Sequence, residues 1–311
     1  MTDILRNIPI VRWSQRADSW VLAKNRPDAY LPMSITLLTW NIQHDVPNAW
    51  ERHQAAMTYI QHKAFGCYDG RAPRPGVIML QEVGADAFNA LLEHAWVRTH
   101  FVVMPPGPQY WPYGARYGVV TLVPRHMSIS AATSVEFGGS RMGRNMLMVD
   151  VWVNMSLDAL GCEPKIIRIA NTHLESLPGG VIWRAGQLRT VAQWLKDFQV
   201  KGGVVCGDMN ALVPADEKFV AMNGLVDAWE KSSAHVAAVG DGDMEENDGT
   251  TWGFQPRSDF KPARLDKMLY AEKRAYELER PWAVGVGLKT KSGQWVSDHY
   301  GLMSILRVLG L

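Results

Sequence analysis

Cysteine is scarce in this chain, at three in 311 residues, and Cys67, Cys162 and Cys206 stand far apart. An odd, widely spaced set is neither a disulfide framework nor a zinc site, so all three read as reduced thiols of an intracellular protein. An excess of one charge is missing as well: 32 basic residues face 31 acidic ones, for a formal charge of +1. No global field draws the chain onto a polyanion or an anionic membrane, and any such partner must meet a local patch. No run reaches the ~18–20 apolar residues of a membrane span, and residues 1–6 hold no apolar signal core. These absences set the expectation of an intracellular protein, nuclear and/or cytoplasmic, not secreted, without a membrane partner and monomeric. Internal repeats are lacking too, as is any linker dividing the polar clusters described next.

What the chain has is a series of apolar runs with polar residues at their ends, within a sequence that is 47% hydrophobic. Residues 34–42 form a β-branched and aromatic strand with Asn41 at its end. Residues 77–80 run into Gln81-Glu82, residues 165–172 into His173-Leu174-Glu175, and residues 203–206 into Gly207-Asp208-Met209-Asn210. A strand at 264–270 carries Asp266, and Ser297-Asp298-His299 stands at the mouth of a last strand beginning at Leu302. Further strands are expected at 100–104, 117–123, 128–137 and 144–154. Helices are expected at 47–65, where Pro47 suits the first turn, at 86–96, and at 180–198, where apolar residues recur at steps of three and four. Strands with short punctuation and three or four helices fit two mainly antiparallel sheets packed face to face with helices outside them, a four-layer α/β/β/α sandwich. Residues 1–33, broken by Pro9, Pro27 and Pro32, read as an N-terminal extension, and 34–311 as a single catalytic domain.

Taken alone, a Glu at a strand end is a surface acid and a His after an Asp is a structural residue. Their shared position at strand ends changes the reading, because such ends collect along one rim of a sheet. Hard oxygen donors of this kind suit Mg²⁺, with Mn²⁺ as the substitute, and not a soft metal. His299, charged and oriented by a carboxylate such as Asp266, would stabilise negative charge developing on a phosphoryl group, with His173 as a second donor. Asp208 and Asn210, two apart, can face the same way and orient a water, the carboxylate accepting its proton. The acidic run at 241–246 fails as a calcium loop, since Glu246 stands where glycine is required.

Six segments in order, Thr39-Trp40-Asn41-Ile42, Leu80-Gln81-Glu82-Val83, Asn171-Thr172-His173-Leu174-Glu175-Ser176, Gly207-Asp208-Met209-Asn210, Leu265-Asp266 and Ser297-Asp298-His299-Tyr300-Gly301-Leu302, resemble the motifs of the endonuclease/exonuclease/phosphatase superfamily. Arg184 with Gln187-Leu188, Arg144-Asn145 and Thr251-Trp252 look most like the 5′-tyrosyl-DNA phosphodiesterases within it. The resemblance implies a Mg²⁺-dependent phosphodiesterase. Glu82 would bind the metal with Asn41 and Asp298 in support, Asp208 would be the general base and Asn210 its positioner, and His299, oriented by Asp266, would hold the phosphoryl oxygens with His173. The implied reaction is hydrolysis of the bond between a topoisomerase tyrosine and a DNA 5′-phosphate, a DNA-repair step, with a single-stranded 5′ end carrying a tyrosyl or peptide adduct as partner. The alternative is another nuclease or phosphatase of the same superfamily.

For DNA, the candidate phosphate contacts are Arg141, Arg144, Arg264 and Lys267. Trp252, Tyr117, Phe254 and Trp295 offer faces for bases, each stack worth ~1–3 kcal/mol. Two departures from the superfamily pattern stand out. Gln43 occupies a position where relatives carry an Asp, with Asp45 a partial replacement nearby, and Leu212-Val213 stand where relatives continue with an Arg and an Asp.

Overall fold

Two pairs of parallel strands set the frame, one inside each of two sheets. The computed structural model describes residues 2–24, 30–154, 163–231, 249–273 and 275–309; Cys162 and the acidic run at 241–246 lie outside them. The first strands are β1 (Ile4–Asn7), β2 (Val11–Ser14), β3 (Ser19–Leu22) and β4 (Ser34–Asn41). Helix α1 (Ala49–Tyr59) runs into a π-helical turn at Ile60–Ala64, followed by β5 (Gly76–Gly84), α2 (Ala85–Glu93), α3 (Ala95–His100), β6 (Phe101–Met104) and β7 (Tyr117–Pro124). Next come β8 (Ile129–Glu136), β9 (Asn145–Val153), β10 (Lys165–His173), α4 (Val181–Leu195), β11 (Gly202–Asp208), α5 (Pro214–Met222) and β12 (Leu225–Asp227). The remaining strands are β13 (Asp266–Ala271), β14 (Tyr276–Leu278), β15 (Trp282–Val284) and β16 (Gly301–Val308).

One sheet has seven strands in the order β1-β8-β9-β10-β11-β13-β12, and the other has nine, β14-β16-β4-β5-β7-β6-β2-β3 with β15 added on β16. Among the described residues β4–β5 and β10–β11 run parallel and the other named pairs antiparallel. The central strands are buried almost throughout because both of their faces are covered. Alternate residues serve different layers: Ile35 and Leu37 enter the core between the sheets, while Leu38 and Trp40 pack beneath α1–α3. In the seven-stranded sheet Ile167, Ile169 and Val204 face the inter-sheet core, and Ala170 and Val205 face α4 and α5. Three apolar layers thus separate four layers of structure, the expected α/β/β/α sandwich.

Several elements differ from the expectation. Residues 1–33, read as an extension, supply edge strands to both sheets, β1 pairing with β8 and β2 with β6. The helix expected at 86–96 breaks at His94, whose backbone is extended, so that α2 and α3 are separate. α5 was not expected; Pro214 occupies its first turn and the Asp216 side chain caps it by accepting from the backbone of Leu212 and Val213. No helix among the described residues is long and apolar enough to cross a membrane.

Candidate active site

Parallel strands end at the same edge of a sheet, so the two parallel pairs bring Asn41 (β4), Glu82 (β5), His173 (β10) and Asp208 (β11) to one rim. Register pairs His173 with Asp208 across β10–β11, and Asp208 with Asp266 across β11–β13. Glu82 arrives by a bulge. The pairing with β7 passes from Leu80↔Val120 to Val83↔Gly118, and Glu82 takes a φ of 56°. A bulge re-aims one side chain out of the strand's alternation, and here it is the carboxylate. Gly207 holds a φ of 148°, and a Cβ there would meet the Thr172 carbonyl oxygen at 1.9 Å. Glycine alone lets β11 lie so close to β10 beside the turn that carries Asp208 and Asn210. Gln43 and Asn210 also sit at positive φ, 52° and 47°, so backbone strain gathers at this rim.

Asp208 lies at the centre. Asn41 Nδ2 donates to its Oδ2 at 3.0 Å and to Glu82 Oε1 at 3.2 Å, joining the two sheets through one amide. The Asn210 backbone N–H donates to Asp208 Oδ1 at 2.8 Å, while the Asn210 side chain donates to the Leu174 carbonyl at 3.1 Å. His173 Nε2 stands 3.4 Å from Asp208 Oδ2, and His299 Nε2 stands 3.9 Å from the same oxygen. On its other side His299 Nδ1 donates to Asp266 Oδ2 at 2.8 Å. Asp298 lies 3.9 Å from His299 Nε2 through Oδ1 and accepts from Trp252 Nε1 at 2.9 Å through Oδ2. Beneath the rim Gln81 Nε2 donates to Asn171 Oδ1 at 2.7 Å, a second buried tie between the sheets.

Charge follows from these contacts. Burial opposes the His299 imidazolium, but Asp266, by charge and hydrogen bond, and then Asp208 and Asp298 outweigh it and push its pKa up to about 10. Burial pushes the Asp208 carboxyl up to about 6 against the pull of His299, which places a carboxylate near neutrality. Burial also works against ionised Glu82, yet His44, His173 and Asn41 together hold it well below the usual carboxylate range. His173 differs from the expected cation. Burial and the neighbouring Arg144 charge keep it well below its ordinary value, and Arg144 Nη1 donates to its Nδ1 at 2.9 Å. The ring is therefore neutral with its proton on Nε2, facing Asp208, and the cation on that side is Arg144.

The structure brings together Asn41, Glu82, His173, Asp208, Asn210, Asp266, Asp298 and His299, with Arg144, Tyr117 and Trp252 around them. Tyr117 stacks on His44 with ring centroids 3.7 Å apart, and the Arg144 guanidinium lies 5.3 Å from the Tyr117 ring centre. Arg141 is exposed, its guanidinium over Trp183 at 4.9 Å and its backbone N–H held by Glu175. Arg264 does not serve as a free phosphate grip: it donates to Asp227 at 2.7 Å and to Glu230 at 2.9 Å, so carboxylates take up its charge. Lys267 is likewise buried against Glu217. Arg184 and Gln187 are braces, Arg184 forking onto Asp216 and Gln187 bonding Glu175.

Two residues were missed from sequence. His44 donates to Glu82 Oε2 from its backbone N–H at 3.0 Å and from Nδ1 at 2.6 Å; its place just past Asn41 was the available signal. Arg52 is fully buried and donates to the carbonyls of Ile42, Gln43, Val46, Trp295 and Val296, binding the loop after Asn41 to the loop before Asp298. Its partners are backbone atoms, which leave no trace in residue identity.

The donor set at the rim suits a divalent cation. Burial, with the Glu82 charge adding to it, raises the Asp298 carboxyl, and His44, Asp45 and Glu82 present ligand atoms within 4.8 Å of one another. Acidic oxygens dominate, with one imidazole, which fits Mg²⁺ or Mn²⁺.

A search of curated protein sequences finds no match. The model of the endonuclease/exonuclease/phosphatase family matches residues 38–299. Among solved structures, D. rerio TDP2 complexed with single strand DNA product is similar, with TM-score 0.66 and 18% identity over 88% of this chain and 99% of that one. TDP2 from C. elegans gives 0.63 and 18% over 90% and 76%. The human Nocturnin catalytic domain with bound sulfate gives 0.57 and 18% over 89% and 96%. At such identities the likeness is one of fold. The family match runs from the strand that ends in Asn41 to His299 itself, across every strand that feeds the rim, and the chain belongs to the endonuclease/exonuclease/phosphatase family.

Proposed function

We propose that this chain is a divalent-metal-dependent phosphodiesterase that hydrolyses the 5′-phosphotyrosyl bond between DNA and a trapped topoisomerase, leaving a 5′-phosphate. The observation that carries the hydrolytic reading is the arrangement around Asp208: a carboxylate with a pKa near 6, held by Asn41 and Asn210 and faced by one neutral and one cationic imidazole. In this reading Asp208 takes a proton from a water that Asn210 helps to position, and the water oxygen attacks phosphorus. The P–O bond to tyrosine breaks, and the phenolate, whose conjugate acid has a pKa of about 10, leaves and is protonated by solvent. His299, held cationic by Asp266, and the Nε2–H of His173 stabilise the charge growing on the phosphoryl oxygens. Glu82 and Asp298, with Asn41 in support, would hold Mg²⁺ or Mn²⁺, which when bound neutralises charge on the phosphoryl and leaving oxygens. Arg144 and Trp252, flanking His173 and Asp298, are the proposed contacts to DNA, with Tyr117 and Arg141 outside them.

The tyrosyl substrate is supported by the fold likeness to D. rerio TDP2 complexed with single strand DNA product and by the Arg144 and Trp252 positions. A second reading, another nuclease or small-phosphoester hydrolase of the family, is favoured by the loss of Arg264 and Lys267 to carboxylates. The two separate in a substrate panel of a 5′-phosphotyrosyl oligonucleotide, abasic DNA, poly(A), nucleotides and inositol phosphates. Preference for the tyrosyl oligonucleotide supports the first reading, and preference for any of the others replaces it with the second.

A further inference from the structure

An open groove of about 530 Å³ lies between α1 with its π-helical turn and the loop at 288–291. Trp50, Tyr59, His62 and Lys63 form one wall, and Lys289 and Lys291 belong to the other. Trp50, 45% exposed, offers an aromatic surface within this lining. None of the three lysines forms an ion pair with a carboxylate among the described residues. Lys63 and Lys289 instead lie near aromatic rings, 5.6 Å from the centre of Tyr68 and 4.2 Å from that of Trp295. The acid lining the groove, Glu51, is engaged by the Ser292 backbone N–H at 3.0 Å and hydroxyl at 2.8 Å. Three cations against one occupied acid give the groove a positive field that the neutral chain as a whole lacks.

The groove is next along the chain to two loops that reach the active site. Its walls lead into the two loops that Arg52 binds together, one carrying His44 and the other running into Asp298. Asn48 closes the same junction by donating to Gln294 Oε1 at 2.9 Å.

We propose that this groove is a track for single-stranded nucleic acid that extends the substrate path beyond the active site, with Lys63, Lys289 and Lys291 on phosphates and Trp50 stacked on a base. The proposal rests on the reading of the substrate as a nucleic acid. Cations beside an exposed indole match a chain that carries both phosphates and bases.

The test uses fluorescence anisotropy with the full chain and unmodified oligonucleotides of about 4 and about 16 nucleotides, spanning the lengths that single-strand grooves accommodate. The Lys289→Ala/Lys291→Ala variant is expected to lose affinity for the longer strand and not the shorter, and to flatten the dependence of log affinity on log salt by roughly 1.4, about 0.7 per phosphate contact. Trp50→Ala is expected to weaken the longer strand roughly 5- to 100-fold. Turnover of a small chromogenic phosphodiester, too short to reach the groove, is expected to stay at the wild-type rate in both variants. Unchanged long-strand affinity and salt slope in both variants overturns the proposal. So does competition by polyglutamate as effective as that by an oligonucleotide of equal charge, which assigns the groove to an acidic peptide. Wild-type protein that binds the long strand through these residues but turns over no phosphodiester sinks the catalytic reading and leaves the groove standing.

Discussion

Replacing Asp266 by Asn isolates the charge that holds His299 protonated. The shapes are nearly identical, and the 2.8 Å contact to Nδ1 can persist through the amide oxygen. What is lost is the carboxylate charge, first among the influences that raise His299, which leaves burial opposed by Asp208 and Asp298. If His299 falls from about 10 only as far as its ordinary 6.5, the change is worth roughly 5 kcal/mol of protonation preference, at ~1.4 kcal/mol per pKa unit. At about pH 8 the imidazolium fraction then drops from near unity to about one in 30, so kcat/KM is expected to fall roughly 30-fold there. The loss shrinks as pH falls toward 6, because the variant imidazole becomes protonated again. Wild type should show an acid limb near 6 from Asp208 and an alkaline limb near 10 from His299, with the alkaline limb moving down toward neutrality in the variant. The assay is kcat/KM on a small chromogenic phosphodiester from about pH 5 to 10, beside NMR titration of the imidazole. An alkaline limb left in place, or an equal loss at every pH, refutes the assignment.

Other perturbations probe separate parts of the account. Arg144→Ala removes the donor to His173 Nδ1 and to Ser176, and is expected to cost roughly 100-fold in kcat; Arg144→Lys, unable to reach both, should recover less than a tenth of that. Arg52→Met leaves the loop carbonyls around it without a donor and should lower urea stability by about 3–5 kcal/mol; a loss below about 1 kcal/mol would show that the two loops hold themselves. Burial depresses buried His53 to about 3, so the unfolded chain binds more protons between 6.5 and 3. Its contribution is fully present above 6.5 and is lost as pH falls, by about 2 kcal/mol between pH 7 and 5, a slope that His53→Phe should remove from urea titrations. Mg²⁺ at about 100 times its Kd should add roughly 2.7 kcal/mol of thermal stability, with none added in Glu82→Gln.

Much of the rim was legible because its residues end apolar runs. Asn41, His173 and Asp208 are the terminal residues of β4, β10 and β11, and Glu82 stands two residues from the end of β5. Once the strands are read, the parallel pairing does the convergence. The parts that were not legible rest on backbone atoms and on distance. Arg52 bonds carbonyls up to 244 residues away, and no residue pattern marks a carbonyl cage. β1 to β3 have four residues each, too short for alternation to show, and they are held by pairing, β1 with β8, β2 with β6 and β3 with β2. Arg264 carried the right charge in the right neighbourhood, but Asp227 and Glu230, some 35 residues earlier in sequence, claim it. His173 had the right position and the wrong charge, because Arg144 beside it decides which of the two is the cation.

The central claim is metal-dependent hydrolysis of a phosphotyrosyl bond at the Asp208 rim. It is tested most directly by incubating the protein with a 5′-phosphotyrosyl oligonucleotide and Mg²⁺ and measuring released tyrosine with and without chelator. The account predicts release that leaves a 5′-phosphate, stops with chelator, and falls by orders of magnitude in Asp208→Asn and Glu82→Ala. Absence of release, or release indifferent to chelator and to both substitutions, contradicts it.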